Sequence, residues 1–570
     1  MAKIKSGKAP IKALSCRFGG MGKHTPLSPV GAEDICNFRI LPNGVLQTRG
    51  GYAVKKSFAQ SKPLRGFWEG TLAGSPLIFA VAGNVVYRLS GEELRETLVG
   101  SVYAGQGMVH FCAHQDKLYL LDGISIQVYD PAIDHFNEIE AYVPLYGYQW
   151  SPSSYGDIHE EVNLLTPRLR VHYYNSEGSS VFLLPYYADA VEVVRADGQE
   201  TTNYTFEAGS NRISFEGTPP TVLEVGFTVS LNEELAIAML ASQMAYIFAN
   251  DGEERMLLWG DDARLFVSHP VSGPSLSSCH VLYPKATPLY FCAEDVLFLG
   301  DSTHPITAVC PLWDTLLAFT SDRIWSLHFE KGEMHTELAM NGIGCATASG
   351  AIPYENTVIA AMQNGIYRIT SSVARPDQLV LTRLSVGIDQ KLPISFGARA
   401  QLFWNVARGE IWAHDPTSAY GEVWVWNANH EEWYRFEGIA ASFFFSLDGK
   451  VGFADGHRLC FFEPNCYTDA GSPIAAHVRT AYIDLGTADA PARAMRAMLY
   501  AAPANAQMEL LIETERASHL RTLQADAAVG LPTFHDLRTP AHRHRFLRFF
   551  AKVYASLPAE LYRLDVYSKP

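Results

Sequence analysis

Residues 306–327, ITAVCPLWDTLLAFTSDRIWSL, decide how the rest of the chain is read. The stretch reads strand, turn, strand, turn, strand. Leu316, Leu317, Ala318 and Phe319 form a short apolar run, Ser321 and Asp322 break it, and Ile324, Trp325 and Leu327 resume it. A run this short, bounded by turn residues and carrying β-branched and aromatic side chains, suits a buried strand better than a helix. Trp313 and Trp325 are read as core residues.

Variants of this unit lie on both sides of it. Residues 78–89 (IFAVAGNVVYRL) turn at Gly83 and Asn84, and residues 109–130 (VHFCAHQDKLYLLDGISIQVYD) turn at Gln115, Asp116 and again at Asp122, Gly123. Further units are 256–267 (MLLWGDDARLFV), 357–370 (TVIAAMQNGIYRIT, turning at Asn364 and Gly365), 401–414, 422–436 and 442–462. Short strands joined by two-residue turns make β-meanders. Their recurrence at a period of about 30 to 50 residues points to a β-propeller. The expected fold is all-β: a propeller of six to eight blades, seven being the preferred count, with an inserted small β-sandwich and a C-terminal β-sandwich.

The division follows the pattern. Residues 1–44 read as an N-terminal arm, with Pro26, Pro29 and a glycine cluster leaving little room for regular structure. Residues 45–164 and 231–470 read as the two parts of the propeller. Between them, 165–230 alternates polar and apolar residues in the manner of a sandwich. Residues 233–244 (EELAIAMLASQM) are the most helical stretch of the middle chain. From 471 to 570 the blade pattern gives way to strands of a closing sandwich.

Bulk properties bound the function. The chain has 570 residues, 48% hydrophobic and 12% aromatic, and a formal net charge of −15. That charge argues against a general nucleic-acid binder, which needs a basic surface to displace counterions. The nine cysteines are scattered and form no C-x-x-C pair, which suits buried free thiols in a reducing compartment. The N-terminus lacks an apolar signal region, and the longest apolar stretch, around 235–249, is interrupted by Ser242 and Gln243, so no membrane insertion is expected.

GGMGKHT at 19–25 lacks the first phosphate-loop glycine, where Arg17 stands, and has His24 in place of the metal-binding hydroxyl. Ser446, Leu447, Asp448 and Gly449 approach a sialidase turn repeat but do not recur. The acid pairs Glu160 and Glu161, Asp261 and Asp262, and Glu294 and Asp295 are candidates for glycoside hydrolysis, which needs two carboxylates about 5 to 10 Å apart across a pocket. Adjacent acids are more often solvated turn residues. His542 and His544, His535 with Asp536, and Cys279 with His280 lack a complete metal-ligand pattern. Trp313 and Asp314 form a single, unrepeated WD dipeptide. Arg543, Arg545 and Arg548 interleave with Phe546, Phe549 and Phe550, a pattern that fits a half-solvated strand before it fits a nucleic-acid patch. No catalytic residue, cofactor or metal is assigned.

Two segments resemble a known family. Residues 33–52 (EDICNFRILPNGVLQTRGGY) look like the N-terminal signature of tailed-bacteriophage tail proteins, an acidic residue and Asn, a glycine turn, then Arg-Pro-Gly-Tyr, with Gly50 in place of the usual proline. The order of LLWGDDARLFVSHP, PLYFCAEDVLFLGDSTHPITAV, LLAFTSDRIWSLHF, GIGCATASGAI and NGIYRIT over 256–386 is similar to that of phage virion proteins with a β-propeller body, the tail nozzle or tail-stabilisation group. The resemblance implies a structural virion protein of the tail, made in the host cytoplasm and not an enzyme. It implies partners: the chain itself in a homo-oligomeric ring, a hexamer being the expected order, and other tail or head-to-tail connector proteins. DNA would pass through the ring without sequence-specific binding, and a negative lumen would keep phosphates from sticking. The alternatives are a carbohydrate-active or carbohydrate-binding β-propeller acting on host surface glycans, and a cellular scaffold propeller.

Overall fold

The computed structural model describes all residues except 1–11, 22–30, 140, 147–159, 251–252, 270–288, 302, 331–332, 373–377, 486–492, 503–506, 516–517, 525–532, 538, 540–542, 544, 556 and 570. Its centre is a β-propeller of seven four-stranded antiparallel blades. The opening stretch forms three strands of the fourth blade: Ala308–Leu312, Thr315–Phe319 and Arg323–Glu330. Glu333–Asn341 completes it.

The first strands of the blades form the inner ring. Leu64–Leu72 touches His110–His114, which touches Met244–Asn250. Ala308–Leu312 touches Ala351–Tyr354, then follow Gln401–Asn405 and Phe443–Leu447, and the last returns to Leu64–Leu72. The third and fourth blades join through Phe248, Leu257, Val309 and Leu316. Apolar clusters fill the space between neighbouring blades. Phe79, Phe111 and Phe136 seal the first against the second, and Phe67 stacks on Phe445 at 3.9 Å where the ring closes. Burying a large apolar side chain of this kind contributes roughly 1.5–3 kcal/mol, so the seams are the main source of the propeller's rigidity.

The seventh blade is composite. Phe443–Leu447, Lys450–Asp455 and Arg458–Phe462 supply three strands, and Tyr52–Ser57, from the other end of the chain, supplies the outermost. The ring is thus closed by backbone hydrogen bonds between distant segments.

The inserted sandwich has one sheet of Arg168–Tyr174, Val222–Thr228, Ala190–Ala196 and Gln199–Glu200, and a second of Val181–Ala188, Ser210–Phe215 and Tyr204–Phe206. Leu169, Val171, Phe182, Ile213 and Phe227 are buried between them. The helix Glu233–Leu240, capped by Asn232 accepting from the Leu235 N–H, returns the chain to the third blade. No helix among the described residues is long and apolar enough to cross a membrane.

Three readings are corrected. The segment 1–44 is not an arm without regular structure. Lys12–Cys16 pairs with Glu560–Lys569, Phe38–Ile40 pairs with Leu46–Thr48 in the same sheet, and Ala32–Cys36 pairs with Ser472–Thr480. These strands complete the C-terminal sandwich, which therefore draws on both ends of the chain. They are three to five residues long, too short to show a period, and their partners lie far away. Trp313 is not a core residue: it sits at a turn with φ of 57° and is 65% exposed. The fifth blade's hairpin turns at Gln363 and Asn364, with Gly365 already paired to Met362 as the first residue of the next strand. The eight described cysteines are free thiols, all buried except the half-buried Cys466.

Candidate functional site

The segment that carries the family resemblance, residues 33–52, is the most heavily cross-linked polar region among the described residues, and it joins the propeller to the terminal sandwich. Asn37 adopts φ of 57° between two short strands, a left-handed conformation that Asn tolerates better than most residues. Its side-chain oxygen accepts from Arg49 Nε at 2.8 Å and from the Glu437 N–H at 2.9 Å, and its amide donates to the Ala475 carbonyl at 2.9 Å. One side chain thus holds the signature, the sixth blade's exit and the sandwich together.

Arg49 is fully buried. It donates to both oxygens of Asp469, to the Glu437 carbonyl at 2.9 Å and to the Gly50 carbonyl at 3.0 Å. Gly51 is required beside it, because a Cβ there would stand 2.1 Å from the Thr468 carbonyl oxygen. Tyr52 then sets its ring edge-on to Phe453 at 4.8 Å.

Asp34 accepts from Arg435 at 3.0 and 3.1 Å and lies 2.9 Å from His477 Nε2. Burial acts to raise its pKa, but the His477 and Arg435 hydrogen bonds and the Arg435 charge outweigh it and hold the carboxyl well below the usual carboxylate range. Arg39 pairs with Glu410, which also accepts from Tyr434 Oη at 2.7 Å and Trp412 Nε1 at 2.9 Å. Burial works against ionised Glu410, yet the Arg39 charge and these donors keep its pKa low. Glu33 accepts from Arg548 at 2.6 Å, and Arg548 also reaches Glu513 at 2.8 Å. Each charge here has an opposite partner, which is the condition under which buried charges are tolerated. The arrangement is a joint: these charged side chains are spent on one another, and the Cys36 thiol among them is buried.

The other candidates are dispersed. Glu160 accepts from Tyr142 Oη at 2.8 Å and from the Leu145 N–H at 2.6 Å, and burial raises its pKa. Glu161 accepts from Tyr186 Oη at 3.0 Å. Asp261 accepts from the Gln243 side chain, 18 residues away, and Asp262 accepts from the Arg264 N–H, which supports a turn. Asp295 meets His269 Nδ1 at 2.7 Å. Asp448 sits in a hairpin turn with φ of 50°. It lines a cavity of about 410 Å³ between the seventh and first blades with Lys55, Leu94, Lys450, Phe461 and Glu463. There Lys55 lies 3.0 Å and Lys450 3.8 Å from Glu463, so both lysines face one carboxylate. His535 and Asp536 lie on the strand Thr533–Leu537, with Asp536 3.3 Å from Arg496. Arg545 stacks over Phe546 and pairs with Asp484, while Phe549 is buried. Gly22, Lys23, His24, Cys279, His280, His542 and His544 lie outside the described residues.

The resemblance located residues 33–52 without saying what their side chains do. Their partners at 410, 435, 469 and 477 give no local signal.

No protein-family model matches the chain, and no curated protein matches it. Solved structures similar to the chain include the AfRom2 CNH domain, at 7% identity with a TM-score of 0.36, covering 72% of this chain and 99% of that one.

Proposed function

We propose that this chain is a structural component of a bacteriophage tail: identical copies close into a ring on the tail axis, DNA passes through, and other tail proteins dock on it. One observation carries the reading. The segment resembling the tail-protein signature is the segment that closes the seventh blade and binds the terminal sandwich, with Asp34, Asn37, Arg39, Arg49 and Gly51 all used internally. The likeness therefore falls on residues that build a scaffold rather than on a surface that turns over a substrate.

Other features support it. A propeller carrying two sandwiches presents several rigid surfaces, and heterologous contacts between such bodies close into rings. The net charge of −15 suits a passage that repels phosphates.

Electron microscopy and mass measurement of the purified full chain test the proposal. Rings, six-membered on this reading, are the expected result. A particle that stays monomeric at every concentration and cleaves a glycan overturns it.

A further inference from the structure

In the third blade the chain leaves the strand Arg264–Val267 and returns to it only at Val296–Phe298. The two sides of this excursion meet at its foot, where the His269 N–H donates to the Tyr290 carbonyl at 2.7 Å. Cys292 caps the single 3-10 turn Ala293–Asp295 immediately after. The fold thereby brings an imidazole nitrogen of His269, the Cys292 thiol and an Asp295 carboxylate oxygen within 4.8 Å of one another.

We propose that His269, Cys292 and Asp295 form a binding site for a divalent transition metal, with zinc the best fit, which ties the two sides of this excursion together. The donor set decides the class of ion. Imidazole with thiolate selects zinc and its neighbours and disfavours calcium and magnesium, which take oxygen ligands. Zinc–ligand distances of about 2.0–2.3 Å put tetrahedral ligands roughly 3.3–3.8 Å apart, so small side-chain rotations bring the three into place. On binding, the proton shared by His269 Nδ1 and Asp295 Oδ2, now 2.7 Å apart, and the Cys292 thiol proton both leave to solvent as the ion takes their place.

The surroundings favour a dication. Besides its burial, Cys292 is surrounded by the negative charges of Asp295, Glu161 and Glu294, and the Glu160 carboxylate attracts positive charge at His269. Tyr290 sets its ring edge-on to His269 at 5.3 Å and donates its hydroxyl to the Glu161 carbonyl at 2.9 Å, which fixes the ring beside the site. Cys292 is 3% exposed, while the His269 and Asp295 side chains are 41% and 33% exposed. The thiol therefore sits at the back of the site and the open side faces solvent, which leaves the fourth position to water. The site ties residue 269 to residues 292 and 295, next to Glu161, whose carboxylate holds Tyr186 of the inserted sandwich.

The test uses the full chain, stripped with chelator and dialysed against zinc or cobalt(II). One zinc per chain is expected by elemental analysis. Cobalt should give the near-ultraviolet thiolate charge-transfer band and the visible bands of a four-coordinate site. Cys292→Ser should abolish the charge-transfer band. His269→Ala and Asp295→Ala should each weaken zinc binding at least about 10-fold. Cys466→Ser, altering the half-buried thiol at the edge of the propeller, should change neither. If Cys292→Ser does not fold, the partly exposed His269 and Asp295 variants carry the test. Absence of stoichiometric zinc, or zinc binding that survives His269→Ala and Asp295→Ala, overturns the proposal.

Discussion

Arg49 lays its guanidinium flat against Asp469, with Nη1 2.8 Å from Oδ1 and Nη2 2.5 Å from Oδ2, across 420 residues of chain. Arg49 lies three residues before Tyr52, the start of the strand that enters the seventh blade, and Asp469 lies three residues before Ser472, the start of the strand Ser472–Thr480 of the terminal sandwich. The pair therefore clamps the point where the chain enters the propeller to the point where it leaves. Strand pairing closes the ring, and this ion pair fixes the sandwich relative to the closure.

Arg49→Met should destabilise the chain by about 3–5 kcal/mol, because it leaves the Asp469 carboxylate and the Asn37 oxygen without their cation. Arg49→Lys should fall between the two, since an ammonium keeps the charge but cannot make the two-pronged contact. The urea midpoint checks this, with the slope unchanged. A midpoint for Arg49→Met equal to wild type would refute the role assigned to the pair.

Neighbouring glycines should respond in opposite ways. A Cβ on Gly51 would lie 2.1 Å from the Thr468 carbonyl oxygen, a backbone atom that cannot swing aside. A Cβ on Gly50 would meet nothing nearer than 3.8 Å. Gly51→Ala should therefore cost about 3 kcal/mol, near the upper end for overpacking, and Gly50→Ala no more than about 0.5 kcal/mol. Thermal unfolding of the two variants side by side separates them.

The blades were legible because their information is local. In residues 306–327 each strand pairs with the next across a tight turn, so apolar runs and turn residues suffice. The joint was not legible, because Asp34 finds Arg435 and His477 401 and 443 residues away. The N-terminal strands were missed for the same reason: three-residue pieces such as Phe38–Ile40 carry no period and exist only because the terminal sandwich supplies an edge. Trp313 misled because an aromatic residue in an apolar run predicts burial, whereas a left-handed turn position turns its side chain out. Of the cluster at the third blade, Asp295 was visible as half of an acid pair and Cys292 as a buried thiol, but nothing local links either to His269.

Asp34 sets an acid limit. Its carboxyl titrates below the usual range in the fold, so its contribution is fully present above the unfolded value of about 3.9 and is lost as pH falls below that. Wild type should lose thermal stability steeply below about pH 4. Asp34→Asn should start lower at neutral pH and show a shallower loss across that range. Parallel acid slopes in the two proteins would contradict the assignment.

His414 should act in a separate, higher window. It ends the strand Glu410–His414, is 2% exposed, and meets the Phe444 ring edge-on at 4.7 Å. Burial pushes its pKa down to about 4, against an unfolded value of about 6.5. The folded state thus prefers neutral imidazole. Its contribution is complete above about pH 6.5 and is lost as pH falls towards 4, up to about 3 kcal/mol in all. His414→Leu keeps an apolar contact with Phe444 and removes the proton. Between pH 7 and 4.5 the unfolding midpoint of the variant should fall less than that of wild type. Burial also lowers the pKa of His110, His114 and His172, so some decline remains and the difference between the two proteins is the quantity to read. Because Asp34 titrates below this range, the double variant should show both losses reduced independently, each in its own pH window.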